Sequence, residues 1–152
     1  MSEPRRANRT STAEPDPEEL LALARSVAEA AGTLLLEGAT RRRTTVGTKT
    51  SPTDMVTEMD RASEALLVEG LLRARPDDGV LGEEGTARPG TSGVRWVVDP
   101  LDGTTNYLYG LPAWAVSVAA EVGGRVVAAV VADPSHAEVF AATRGGGATC
   151  NG

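Results

Sequence analysis

Cysteine, histidine and lysine occur once each in the 152 residues, as Cys150, His136 and Lys49. A single cysteine excludes an internal disulfide and agrees with a reducing, cytoplasmic setting, which is the expected location. One histidine and one cysteine cannot build a zinc site of the usual His/Cys kind, so any metal has to be held by oxygen. No apolar run approaches the ~18 residues of a membrane span, and the N-terminal stretch lacks the apolar core of a secretory signal. Basic residues are sparse in clusters, and the net charge is −6, which argues against a nucleic-acid partner. Arg5, Arg6 and Arg9 read as solvated tail, and Arg41, Arg42 and Arg43 as charge following a helix. With arginine so dominant, the single Lys49 stands out as a position where a flexible ammonium is wanted. His136 follows the turn Asp133-Pro134-Ser135 and reads as a loop histidine, while Trp114 and Phe140 are assigned to the core and Cys150 to a buried or incidental thiol.

The length suits one ordinary domain. Residues 1–15 are polar and without period, as in a disordered tail. From Asp16, the residues Leu20, Ala24, Val27, Ala31 and Leu34 recur at helical spacing, with Gly38 as the expected stop. Residues 44–50 read as a loop or short β segment. Ser51 is an N-cap, Pro52 suits the first helical position, and Asp54 sits in the positive first turn. That second helix is expected to run to about Arg75, with Val56, Met59, Leu66 and Leu67 inward, and to stop at Pro76. Val80-Leu81-Gly82 is a brief strand ending at Glu83-Glu84, residues 86–93 a loop, and 94–98 a buried strand. Beyond it, Trp114–Glu121, Arg125–Ala132 and Glu138–Ala142 are strands, the first two joined at Gly123-Gly124. The fold class is therefore α+β, with two N-terminal helices on a largely antiparallel sheet.

The most informative segment is Asp99-Pro100-Leu101-Asp102-Gly103-Thr104-Thr105-Asn106, directly after Trp96-Val97-Val98. A strand ends on a carboxylate, a second acid follows three residues on, and a glycine leads into a helix start rich in hydroxyls. Acids hold a hard cation, and helix-start N–H groups hold an anion, so the place suits a metal-bound phosphate. The phosphatases built on Asp-x-Asp-Gly-Thr need acids two apart on one strand face, and the spacing of three with an intervening proline fits them poorly. Further acids sit at element ends: Asp54 and Asp60 on the second helix, Glu83 and Glu84 after a strand. Asp54 and Asp60, six apart, differ by about 120° around a helix and cannot share one role. Thr57 lies one turn before Asp60. Carboxylates gathered at neighbouring strand ends repel one another unless a cation sits between them, and an all-oxygen set points to Mg²⁺, with Mn²⁺ as the alternative.

On these residues the chain resembles the inositol monophosphatase family of lithium-sensitive, magnesium-dependent phosphatases. The blocks are Lys49 with Ser51-Pro52-x-Asp54-x-Val56-Thr57-x-x-Asp60, then Gly82-Glu83-Glu84, then Trp96 through Asn106, within residues 16–152. The resemblance implies Glu83, Asp99, Asp102 and the Leu101 carbonyl as metal ligands. It implies Asp60 and Thr104 as the pair that orients or deprotonates water, and Gly103, Thr104 and Thr105 as phosphate contacts. Lys49, Asp54 and Glu84 are supporting positions. It further implies the N-terminal half of a layered αβαβα sugar-phosphatase fold, a small phosphorylated polyol such as inositol monophosphate as substrate, and a possible homodimer.

Family members are close to twice as long, and their second half carries a Trp-Asp-x-Ala-Ala-Gly block that this chain lacks. The stop at Cys150-Asn151-Gly152, inside a hairpin signal, favours a truncated chain with very low or no turnover alone. The alternatives are a weak or inactive half-domain that binds metal or a partner chain, a purely structural module with acidic turns, or a sister phosphatase. The sister substrates are histidinol phosphate, fructose 1,6-bisphosphate and 3′-phosphoadenosine 5′-phosphate.

Overall fold

The computed structural model describes residues 14–44, 51–83 and 85–152. The expected tail up to Ala13, the segment 45–50 with Lys49, and Glu84 lie outside the described residues. Helix α1 spans Pro17–Thr44 and α2 spans Pro52–Ala74. Leu20, Ala24, Val27, Ala28, Ala31 and Leu35 bury one stripe of α1, as the 3.6-residue period requires. Leu35, rather than the expected Leu34, takes the last core position. Nor does α1 stop at Gly38; it continues through Arg41 to Thr44. Gly38 is there for packing. A Cβ on it would lie 2.5 Å from Met59 Cε, and Tyr107 Oη, which donates to the Leu35 carbonyl at 2.6 Å, would be 2.9 Å away. The start of α2 is as expected: Ser51 Oγ accepts the Asp54 N–H at 3.1 Å, and Pro52 occupies the first turn.

Seven strands form one mixed sheet in the order β2-β1-β3-β4-β5-β6-β7. They are β1 Gly79–Gly82, β2 Ala87–Arg88, β3 Val94–Asp102, β4 Ala115–Val122, β5 Arg125–Asp133, β6 Glu138–Thr143 and β7 Gly147–Cys150, with the short helix α3 at Thr104–Tyr109. All neighbouring pairs are antiparallel except β1 with β3, which run parallel. Two expectations are corrected here. The stretch 86–93 contains the edge strand β2, and β3 runs four residues past Val98, through the acidic motif itself.

Val94, Trp96 and Val98, then Val116, Val118 and Ala120, then Ala128, Val130 and Ala132 face α1 and α2 in strict alternation. Trp114 joins this core as expected, edge-on to Tyr107 at 5.0 Å between ring centroids. The opposite face carries a row that is apolar across all seven strands by register: Ala87, Leu81, Val97, Ala119, Ala129, Ala142 and Ala148. Phe140, expected in the core, lies on this second face at 44% exposure, and Cys150 is exposed beside it on β7. The misassignment of Phe140 comes from strand parity, which a one-residue change reverses, while Cys150 is the incidental rather than the buried thiol.

Where β1 begins is set by Asp78, which reads from the sequence as an ordinary turn residue. It is 1% exposed. Its carboxylate accepts from Arg75 Nε at 2.6 Å, Ser92 Oγ at 2.6 Å and Trp96 Nε1 at 2.8 Å. The preceding carbonyl, of Asp77, accepts the Thr91 and Ser92 N–H groups. One buried acid thus joins the end of α2, the start of β1 and the middle of β3. Asp78→Ala is expected to destabilise the fold by about 3 kcal/mol, because three donors lose a charged acceptor together. Urea unfolding measures this, and a loss below about 1 kcal/mol would mean that water or neighbours replace the carboxylate.

Candidate active site

The parallel pairing of β1 with β3 brings the acids together. Its register matches Gly79 with Arg95 and ends with Gly82 opposite Val98. The next residue on each strand is Glu83 and Asp99. In a parallel pair both strands end at the same edge, so the two acids become neighbours. Glu83 therefore acts directly on the titration of Asp99. The Asp99 carboxyl is pushed up from 3.8 to about 6. Burial is the main cause, followed by the Glu83 hydrogen bond and charge, with the Asp102 charge adding to them and the Leu101 N–H opposing. Glu83 and Asp102 are exposed.

Past Asp99 the β3 backbone bulges. The register with β4 slips by one residue between Asp99, opposite Ser117, and Asp102, opposite Ala115. Pro100 suits the bulge because it has no N–H to give the ladder. Its carbonyl turns inward and accepts from the buried Ser63 Oγ at 2.7 Å. The Leu101 N–H donates to Asp99 Oδ1 at 3.2 Å, and the Leu101 carbonyl accepts from Thr104 Oγ1 at 3.0 Å. Gly103 turns the chain with φ of 81°, and a Cβ there would sit 2.7 Å from the Ala113 carbonyl oxygen, so no other residue fits. Thr104 and Thr105 open α3, exposed, and Asn106 Nδ2 fixes the return by donating to the Ala113 carbonyl at 2.8 Å.

Helix α2 presents Asp60, Ser63 and Glu64 on one buried face, at 7%, 0% and 7% exposure. Asp54 is exposed on the opposite side, as the angular argument requires, and Thr57 is exposed with its hydroxyl on the Thr53 carbonyl. Ser63 and Glu64 were missed from the sequence. Their signal was available: polar residues at i+3 and i+4 from Asp60 lie on a stripe that is otherwise apolar.

Glu83, Asp99, Asp102 and the Leu101 carbonyl therefore all lie on the segments that leave the same end of two parallel strands, ahead of α3. Their donor set is all oxygen, which fits a hard divalent cation. Among the described residues, no three acid, histidine or cysteine side chains stand at ligand spacing around one point. The best-formed cavity, about 280 Å³ between α1 and the α3–β4 connection, is lined by Leu36, Tyr107, Leu111 and Trp114 and lies away from these acids.

The model of the inositol monophosphatase family matches residues 16–152. The chain belongs to that family. An inositol-1-monophosphatase of Rhizobium meliloti (strain 1021) is 52% identical over 101 residues, 66% of this chain and 38% of that protein. A histidinol-phosphatase of Chlorobaculum parvum (strain DSM 263 / NCIMB 8327) is 42% identical over 132 residues, 87% of this chain and 51% of that protein. The crystal structure of extragenic suppressor protein suhB from Bartonella henselae superposes with a TM-score of 0.78 at 37% identity, covering 88% of this chain and 51% of that one. The chain spans about half the length, or less, of these family members. The expected α+β class and the N-terminal half of the family fold are both borne out.

The raised Asp99 carboxyl gives a pH signature. Below 3.8 the group is neutral whether the chain is folded or not, and above about 6 it is charged in both states. Folding therefore carries a penalty that is absent at the acid end, grows between these two values, and is full above the upper one. Without added cation, this site should make the chain more stable as pH falls from 7 to 5. Asp99→Asn should flatten that rise and be more stable than the native chain at pH 8. Urea unfolding across this range in chelator checks it. An unchanged slope in Asp99→Asn would place the titration on another group.

Proposed function

We propose that this chain carries the cation-binding half of a magnesium-dependent phosphomonoesterase acting on a small phosphorylated polyol, such as inositol monophosphate. The observation that carries the reading is the juxtaposition of Glu83 and Asp99 across the parallel strand pair, with Asp102 adding its charge. Glu83, Asp99, Asp102 and the Leu101 carbonyl would hold Mg²⁺, or Mn²⁺ in its place. A cation held there supplies charge stabilisation at phosphoryl oxygens and lowers the pKa of water. The Leu101 carbonyl, already accepting from Thr104, keeps a second lone pair for a cation.

The chain's own groups do the rest. Thr104 gives its proton to the Leu101 carbonyl, so its oxygen is left to accept from a water molecule. Asp60, buried on α2, is the acid assigned with Thr104 to orient or deprotonate that water. Gly103, Thr104 and Thr105 offer backbone N–H groups at the start of α3, where a helix leaves its first donors without internal partners. Attack by water needs no nucleophilic side chain. Lys49, Asp54 and Glu84 are assigned supporting roles at the site's margin. The similarity to a histidinol-phosphatase makes an amino-alcohol phosphate the second candidate substrate.

Calorimetry with Mn²⁺ or Mg²⁺ on the folded chain is expected to show uptake, weakened at least ~10-fold by Asp99→Asn. Absence of uptake by the native chain would remove the basis of the reading. Phosphate release from inositol 1-phosphate by this chain alone is expected to fall ~100-fold or more below that of a full-length relative, since substrate placement is worth that much. Comparable release would show that these residues suffice.

A further inference from the structure

Ser63 and Glu64 are consecutive on α2, and each grips one of the two acid-bearing segments. Ser63 Oγ holds the Pro100 carbonyl, in the bulge that presents Asp99, at 2.7 Å. The Glu64 carboxylate accepts from Thr86 Oγ1. The Thr86 carbonyl in turn accepts the Gly82 N–H at 2.7 Å, closing the connection that carries Glu83. Gly82 leaves no room between the two: a Cβ on it would lie 2.6 Å from Glu64 Oε2. Glu64 is 7% exposed, so its bond to Thr86 lies in a poorly hydrated place. Glu83 itself follows a strand of only four residues, which gives it little support from the sheet.

We propose that the Ser63–Glu64 step of α2 sets the separation of Glu83 from Asp99, with the Thr86 hydroxyl as the latch that positions Glu83. This rests on the cation-site reading above. The physical need is plain. Glu83 is exposed and lies past the end of its strand, so packing alone does not fix its side chain. A cation gains affinity when its ligands are already held together, and a residue that orients a ligand governs binding without touching the ion. Thr86, Ser63 and Glu64 are positioning residues in this sense. The two grips come from adjacent residues on one helix, so the helix fixes the spacing they impose.

Thr86→Val keeps the shape and removes only the donor. Mn²⁺ binding by calorimetry should weaken at least ~10-fold, measured where urea unfolding shows the metal-free variant still folded, since the Glu64 carboxyl also loses a donor and the midpoint falls. The Gly82 amide should exchange faster with solvent, because its acceptor is no longer anchored. Thr86→Ser, which restores the hydroxyl, should return Mn²⁺ binding to within ~3-fold of native. Native-like binding by Thr86→Val overturns the inference, as does a Thr86→Ser variant no better than Thr86→Val. Thr86→Ala is the second variant, under the same expectations, should the valine not be accommodated. If the native chain takes up no Mn²⁺, the cation-site reading falls and the latch with it. If the native chain binds Mn²⁺ and Thr86→Val binds it equally, the latch alone falls.

Discussion

One parallel pairing organises this half-fold. In a sheet otherwise antiparallel, β1 and β3 run side by side in the same direction, and their shared edge is where the chemistry-bearing residues collect. Had β1 paired antiparallel, Glu83 and Asp99 would lie at opposite edges of the sheet, separated by the full length of the short strand. The pairing depends in turn on α2 as the neighbouring element. Its C-terminal end hands the chain to β1 through Asp78, and its middle holds both strand ends through Ser63 and Glu64. The helix that packs the core is thus also the element that spaces the acids.

Two carboxylates in this region, Asp78 fully buried and Asp99 half-buried, are treated in opposite ways, and the contrast separates structure from chemistry. Asp78 receives three donors from three segments and is fully satisfied. Such an acid stabilises a fold and offers nothing to a ligand. Asp99 receives one backbone N–H and faces two like charges, with its carboxyl pushed up to about 6. Nothing in core packing asks for that arrangement. Strongly perturbed groups held against their own preference cluster at functional sites.

Most of the fold was legible because its signals are local. Helix α2 was bracketed by Ser51-Pro52 and Pro76, and the β4–β5 hairpin by Gly123-Gly124, both of which the structure keeps. Errors arose where tertiary contact overrides a local rule. Gly38 looks like a helix stop, yet Met59 and Tyr107 need its bare Cα, so α1 runs on. Asp99 to Asp102 looks like a turn, yet β4 continues to pair with it across a bulge. Phe140 looks like core, yet its parity on β6 turns it outward. The acids of the site were visible as a motif and were expected to gather at neighbouring strand ends, but the pairing that brings them there was not. The parallel register that brings Glu83 beside Asp99 leaves no trace in either segment alone, and the grips of Ser63 and Glu64 span 37 and 22 residues.

The second face of the sheet bears on the chemistry as well as on packing. Asp99 pairs with Ser117, which pairs with Val131, which pairs with Phe140, so the acid stands in the same cross-strand row as exposed apolar groups. The adjacent row, from Ala87 to Ala148, is apolar throughout. Any layer that covers these rows also removes water from around Asp99. That raises the cost of an unneutralised acid pair by lowering the local dielectric. In this geometry the burial of an apolar face and the electrostatics of the acid cluster are one event: changes at Val131 or Phe140, remote from the acids, alter the cover without touching the carboxylates directly.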